Sequence, residues 1–593
     1  MGKQGGAVHV VRVRKSHVDK RGERRDYQSA YLRRTFREGG KVRNETVANL
    51  SALPAHVVDW VEAGLKGKSL VPADQAATIT RSVPHGHVAA VHAQAAALGL
   101  PAMLGPAGRQ RDLAMALIIS RVVHPGSKLA TASWWDDTTL GVDLDVAGAS
   151  TDEVYASMDW LLGRQDAIEA ALAKRHLAPE ANPSRMALFD LSSSWMEGRH
   201  CPLAKRGYSR DGKKNRTQIE YGLLTDPDGR PVAIKVFAGN TADPTAFIDA
   251  VAIVRDKFGL TAMVMVGDRG MITSARIDAI REDNADPDTG SDLGWLTALR
   301  GPAIRALAAE GGPLQPTLFD QQDLAEITHP DYPGERLVAC RNPFLADERA
   351  RKRDELLAAT ETLLAPVVAS VTAGRLRGAD QIGLKVGKIA NTYKMAKHFT
   401  ITITDTSLTI TRRTAQIEAE AALDGIYVIR TTVPDHTLDA AGVVGAYKNL
   451  ANVERDFRTI KVDDLDLRPI YHRLEDRVRA HVFIVMLAAY LTWHLRRTLA
   501  PLTFTDQHPP ARTDPVGPAA RSAAAARKAS RRKDHTNQPV RSFRTLLDHL
   551  GTLTRNDIQY GTGGPVVPTL AVPTETQRRV FELLDTVIPL NLK

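Results

Sequence analysis

The sequence predicts a multidomain α/β protein, and three observations carry that reading. Residues 181–300 run strand, strand, strand, helix, strand, helix, strand. A helical pattern dominates the stretch before them, 52–175. A β-containing stretch, 301–440, then interrupts the series before helical periodicity returns at 441–500. The chain has 593 residues, room for three or four domains at about 150 residues each.

The first element is the alternating run "VHVVRVRKS", followed by "DKRGER" and by "YQSAYLRRTFREGGKVRNETVANL". Alternation predicts a basic β-hairpin or small sheet over 1–50. Arg12, Arg14, Lys15, Arg24, Arg25, Arg33 and Arg34 fall in it. They read either as a solvated charged surface or as an arm that contacts DNA. Residues 51–180 follow as a helical region with apolar residues at three- and four-residue spacing, broken at "HPGSK" by Pro125 and Gly126. Such a region suits DNA binding, yet most helical pairs only pack, and no helix-turn-helix is claimed.

"PSRMALFDLSSSW" turns to a short apolar run and predicts the first strand of the mixed block. Two strands flank "DPDGRP", a strong hairpin turn. A helix starts near Asp243 and Pro244; "TAMVMVGDRGM" is a buried strand ending in a charged turn; "TSARIDAIRED" and "GWLTALR" complete the series. In the interruption, "GERLVACRN", "HFTITITDTSLTITRR" and "DGIYVIRTT" predict strands, with a turn at Asp405–Ser407, and "LADERARKRDELLAATETLLAPVVASV" predicts a helix. Residues 501–542 are rich in Pro, Ala and Arg with few apolar anchors, which predicts a disordered basic linker. A C-terminal helical region, 543–593, ends the chain.

Composition narrows the setting. Lys and Arg outnumber Asp and Glu by 78 to 68, a net charge of +10. That excess fits a phosphate-bearing partner without requiring one. Two cysteines, Cys201 and Cys340, exclude a disulfide framework and a cysteine-rich zinc site. The N-terminus lacks the apolar core of a signal peptide. "HVFIVMLAAYLTWHLRR" is too short and too His/Arg-bounded to span a bilayer. The expectation is a cytoplasmic protein without a membrane partner.

Three acids stand out by position: Asp190 inside the first strand, Asp268 at the end of the fourth, and Glu454 on the helix that follows the interruption. A carboxylate among apolar strand residues is costly unless paired or metal-bound, and α/β folds place their sites at strand ends. Singly, each has a plain alternative: a strand-end cap or turn former, or a solvated helical residue. Asp and Glu without Cys or His are the ligands of a hard cation, Mg²⁺ or Mn²⁺. Two such ions roughly 3.5–4 Å apart hold a phosphodiester in line.

Around Glu454 the spacing is even. In "YKNLANVERDFRTIK", Tyr447 stands seven residues before it and Lys461 seven after. A helix drifts only about 20° per heptad, so all three would share one face. The segment resembles the signature Y-(2)-R-(3)-E-(6)-K of a large insertion-sequence group. The strand order, with acids on strands one and four and on a late helix, resembles the plan of the RNase H-like DDE transposases. Tyr447, Glu454 and Lys461 match; Leu450 stands where the signature has arginine, with Lys448 or Arg455 as substitutes. "FDLSSSW", "KRGYSRDGKKNRTQIEYGLL", "FAGNTADPTAF", "VGDRGM", "LDGIYVIRTT", "REGGKVRNETVANL" and "HPGSKLATASWW" resemble further segments of the same group, so the likeness covers nearly everything but 501–542.

The resemblance implies an RNase H-like mixed-sheet core over 181–300 and 441–500 with an insertion at 301–440. It implies Asp190, Asp268 and Glu454 as catalytic residues and metal ligands, for two Mg²⁺ or Mn²⁺ ions. It implies a transposase that binds its element's terminal inverted repeats, cuts by hydrolysis and joins 3′-ends to target DNA, working as a dimer or higher assembly. Tyr447, Arg458 and Lys461 would touch DNA, as would Lys213, Lys214 and Arg216 in the basic loop after the first strand; that loop reads equally as a solvated hairpin. Trp295 would be a base-stacking residue or, more simply, a core tryptophan. A nuclease without strand transfer and a non-catalytic DNA-binding regulator are the alternatives.

Overall fold

The computed structural model describes the chain except residues 1–5, 19, 21, 23, 69–75, 199, 214, 288, 289, 391, 511–513, 535, 536 and 562. Its strands, in chain order, are β1 (Ala7–Val18), β2 (Arg24–Glu38), β3 (Lys41–Asn49), β4 (Ala77–Pro84), β5 (Met186–Trp195), β6 (Gln218–Thr225), β7 (Pro231–Ala238), β8 (Val264–Val266), β9 (Gly294–Ala298), β10 (Leu324–Ile327), β11 (Arg336–Arg341), β12 (Phe399–Ile403), β13 (Leu408–Arg412), β14 (Ile426–Thr431), β15 (Thr554–Tyr560) and β16 (Val566–Leu570). The chain divides into two compact units: residues 1–82 with 555–571, and 83–554 with 572–593.

In the first unit, β1, β2 and β3 form an antiparallel sheet in that order, as the alternating "VHVVRVR" predicts. Three residues of the expected "DKRGER" turn lie outside the described residues. Arg12 is held by Asp59 and, at 3.4 Å, by Glu62 of the helix Ala55–Leu65. Strand β4 pairs in a second sheet, ordered β16-β15-β4. The C-terminal region expected to be helical thus contributes a β-hairpin between the helices Phe543–Gly551 and Glu575–Leu583.

The second unit is built on an eight-stranded sheet ordered β10-β11-β14-β9-β8-β5-β6-β7. Strands β5, β8 and β9 run parallel; β6 runs antiparallel to both β5 and β7. Strand β5, "MALFDLSSSW", is buried at eight of its ten positions, as suits a central strand covered on both faces. Helices Asp243–Ala252 and Leu450–Arg458 both pack on it. Helix Glu475–Thr498 lies against β7 and the helices Arg109–Val123 and Thr151–Leu162. Residues Val482–Leu491 of that helix are all buried. Each large apolar side chain so placed contributes about 1.5–3 kcal/mol, which accounts for a helix apolar all round.

Two further expectations change. The interruption at 301–440 is not a separate body: β10, β11 and β14 extend the same sheet, and the described stretch belongs to the same compact unit. Leu337, Ala339, Ile426 and Val428 share a core with Leu307 and Phe319. The helices Pro343–Thr372 and Ala379–Ala390, with the hairpin β12–β13, share a core of their own around Leu364, Val371, Ile382 and Leu408. The second change is at 501–542, where the described residues are packed. Val516 is fully buried and Val540 nearly so. Ser522 caps the helix Ala523–Arg531, accepting from the Ala525 N–H at 3.1 Å. Lys528 donates to the carbonyls of Ala500 and Thr503. Composition measures the average number of anchors; here a few, well placed, suffice.

Candidate active site

The register of the parallel pair places the first two acids. Leu188 on β5 is level with Val266 on β8. Asp190 lies two residues further along β5, and Asp268 two residues past the last residue of neighbouring β8, so both acids follow the same paired position. Asp190 is half-buried, and its Oδ1 accepts the Leu191 N–H at 2.8 Å. Asp268 is exposed just past the end of β8, where its Oδ2 accepts from the Gly270 N–H at 3.3 Å.

The third acid arrives on helix Leu450–Arg458, which packs on β5. The hairpin turn between β6 and β7 helps seat it. Asp226 Oδ1 accepts the N–H groups of Asp228 and Arg230, and Gly229 adopts φ +84°. A Cβ on Gly229 would lie 2.6 Å from the Asn452 Cβ, so only glycine fits there. Glu454, two residues on, is exposed and acts on Asp190 through space.

The electrostatics tie the three together. Burial first, then the charges of Asp268 and Glu454, push the Asp190 carboxyl up to about 7, while the Leu191 N–H and Arg210 pull it down. The Tyr447 hydroxyl is pushed up to about 12 by burial, by the charges of Asp268 and Asp190, and by its hydrogen bond to Asp268. Tyr447 and Glu454 therefore both act on Asp190, and Tyr447 on Asp268 as well. They do so from two consecutive helices, Ala440–Lys448 and Leu450–Arg458, joined at Asn449, which stays in the right-handed helical region.

Lys461 does not share that face. The chain winds into a π-helical turn at Thr459–Asp463, which changes the phase of the helix. Lys461 is buried, and its Nζ lies 2.9 Å from Asp211 Oδ1, which also takes Arg468 at 2.5 Å. Nor is Trp295 a free ring. It is 2 % exposed on β9, its indole N–H donates to Glu335 at 3.2 Å, and Arg281 lies over it. The plain alternative of a core tryptophan is the one that fits. Lys448, a candidate for the missing arginine, is spent on the carbonyls of Pro515, Val516 and Gly517. Arg455 is exposed and donates to Asn452 at 3.3 Å, and Arg458 is exposed. In the basic loop, Lys213 is exposed, Arg216 lies 3.5 Å from Glu197 and over the Trp195 ring, and Lys214 is outside the described residues.

The structure adds neighbours that spacing did not single out. Arg210 donates to Asp243 at 2.5 Å and lies 3.4 Å from the buried Glu220 on β6. Burial pushes Glu220 up to about 7 against the pull of Arg210. A cleft of about 460 Å³ opens at Arg269, beside Asp268, with Arg305, Arg349, Lys352, Lys394 and Lys397 on its walls. These basic residues are scattered over more than 120 positions, so no run in the sequence announced them.

A hard cation suits this donor chemistry, because carboxylates that raise one another's proton affinity bind a divalent ion in place of the proton. Among the described residues, no three His, Cys, Asp or Glu side chains converge closely enough to hold an ion as they stand.

Comparison with known proteins agrees at a coarser level. Residues 15–73 match the model of the N-terminal domain of the IS1634 family transposase, which supports an insertion-sequence transposase. No curated protein matches. Among solved structures, the cryo-EM structure of a piggyBac transposase synaptic complex with hairpin DNA aligns over 79 % of this chain and 76 % of that one, at 8 % identity and a TM-score of 0.32.

Proposed function

We propose that this protein is a DDE-type insertion-sequence transposase that cleaves the ends of its element and joins them to target DNA. One observation carries the proposal: Asp190 on β5 is acted on by the charges of Asp268, in the loop after neighbouring parallel β8, and of Glu454, on the helix packed against β5. The order β7-β6-β5-β8-β9, with β6 alone running against the other four, supports an RNase H-like core. The match of residues 15–73 supports the element class.

Asp190, Asp268 and Glu454 would hold Mg²⁺ or Mn²⁺, two ions on this reading, which when bound supply Lewis acidity to the scissile phosphate. The protein's own groups prepare the site. The Leu191 N–H orients Asp190. The Tyr447 hydroxyl faces Asp268 and Asp190, whose charges keep it protonated. Arg210, balanced by Asp243 and Glu220, keeps Asp190 more acidic than burial alone would. Glu454, exposed on its helix, is the third ligand on this reading. Lys461 acts as a support for the Asp211 loop, and DNA contact passes to the exposed Arg458, Lys213 and Arg216. A dimer on paired ends completes the reading.

The test is cleavage of linear DNA carrying the element's terminal inverted repeats, with Mg²⁺ or Mn²⁺. Wild type nicks at the ends and forms joined products. Asp190→Asn, Asp268→Asn and Glu454→Gln each lose activity by roughly a hundredfold or more while still binding the ends. Unchanged cleavage in any of the three removes that residue from the site. Cleavage without joining in the wild type replaces the transposase with a nuclease.

A further inference from the structure

A second site lies away from the carboxylates. A cavity of about 980 Å³ opens between the turn His124–Ser127, which follows helix Arg109–Val123, and the loop Asp466–Leu474. Its walls are cationic. Arg468 and Arg477 are balanced, by Asp211 at 2.5 Å and by Asp159 at 2.6 and 2.8 Å. Arg121 and Lys128 are not. They are 4 % and 6 % exposed, and among the described residues neither has a carboxylate within 4 Å.

Their bonds are all to neutral groups. The Lys128 Nζ lies 3.0 Å from His481 Nδ1. Burial and Lys128 hold the His481 imidazole well below its ordinary range, so it is the neutral acceptor. Its Nε2 faces the Leu467 carbonyl at 3.4 Å. His472, beside it, is pushed down to about 3 by burial and by Lys128. Arg121 donates to the carbonyls of Gly126 and Leu465. Asp466 is the one carboxylate on the described wall; it is exposed and reaches Arg121 only through space. Arg473 stands exposed on the rim.

Burying cations without a counter-charge is costly: burial pushes Arg121 down to about 10, and burial with the charge of Arg121 pushes Lys128 well below the ordinary lysine range. Both face a cavity large enough for a group with several acceptor oxygens, and an anion there favours their charged forms. A phosphate answers both needs, charge and multiple hydrogen bonds. The cavity's loop is also tied to the strand that carries Asp190, beyond its far end. Met196 bridges to Ile470, and the Glu197 N–H donates to the Ile470 carbonyl at 2.9 Å, so the loop Asp466–Leu474 is stitched to the chain just past the C-terminal end of β5. We propose that Lys128, Arg121 and Arg473 form a phosphate subsite that takes one backbone phosphate of DNA bound across the carboxylates. The DNA part of this inference rests on the function proposed above; the anion part does not.

The experiment uses the full chain and two probes: inorganic phosphate, compared with chloride at equal ionic strength in thermal unfolding and calorimetry, and duplex DNA titrated at several salt concentrations. Phosphate raises the wild-type melting temperature. Lys128→Met, relieved of a buried charge, is at least as stable without phosphate, and loses that phosphate-dependent rise. Its DNA affinity falls roughly threefold to tenfold at low salt, and the slope of log K against log salt flattens by about one. Arg473→Gln, on the exposed rim, shifts both readings the same way by less, and carries the test should the buried variant not fold. A wild type without a phosphate effect, or a Lys128→Met protein that keeps it, overturns the subsite. Loss of the phosphate effect with an unchanged DNA salt slope overturns the backbone assignment and leaves a site for free phosphate. A wild type that binds phosphate through Lys128 but binds no DNA sinks the transposase reading and not the anion site.

Discussion

Lys461 is buried with its ammonium 2.9 Å from Asp211, so the residue that completes the heptad after Glu454 supports the loop beside β5 instead of facing an open surface. Asp211 is itself almost wholly buried and shared with Arg468. Replacing Lys461 with Met leaves that carboxylate with one cation and costs about 1–3 kcal/mol of stability. Chemical denaturation of Lys461→Met, Asp211→Asn and the double variant checks it. Additive losses would mean that the pair does not couple the loop to the helix.

Asp190 links proton binding to stability. Its folded pKa, about 7, lies above the ordinary aspartate value. The folded state therefore holds the proton more tightly than the unfolded one, and this group's contribution is full below the ordinary aspartate value. It is lost as pH rises through the folded value. Asp190→Asn mimics the protonated form, so metal-free it should exceed wild type by on the order of 2 kcal/mol above pH 7 and match it near pH 3. Mg²⁺ or Mn²⁺ should raise the melting temperature of wild type and not of the variant.

Arg210 lowers the proton affinity of Asp190 and faces the buried Glu220. Arg210→Gln should move the acidic limb of the cleavage profile to higher pH, with a rate at pH 7 roughly threefold to tenfold lower and recovery in more alkaline buffer. A variant whose loss is equal at every pH would assign Arg210 to substrate contact.

Trp295→Phe keeps the buried ring and removes the indole donor to Glu335, which still holds Arg430 and Arg281. Stability should fall by about 1 kcal/mol and affinity for element ends should stay at the wild-type value. A clear loss of affinity would restore the stacking role.

The stretch 501–542 should resist limited proteolysis at its described, packed residues. Val516 is fully buried, and the carbonyls around it hold Lys448. Val516→Asp places a charge there and should cost about 2–4 kcal/mol, read as a lower melting temperature.

Sequence by itself determined a good deal. Alternation and apolar runs set out β1, β2, β5–β9 and β14, because a period of two on a strand is local information. Tyr447 and Glu454, seven residues apart, both act on Asp190 because the chain stays helical through Asn449 between their two helices. The turn "DPDGRP" followed from Asp226 and Gly229 acting on their own backbone. Tertiary structure decided the rest. A π-helical turn, invisible to a count of residues, broke the phase before Lys461 and handed it to Asp211. The long interruption rejoined the sheet because β11 and β14 offer edges that only pairing satisfies, and short β10 joined them. Residues 501–542 packed because Val516 and Lys528 find partners far along the chain. Whether a polar side chain stands open or paired depends on groups remote in sequence, and no local period records those.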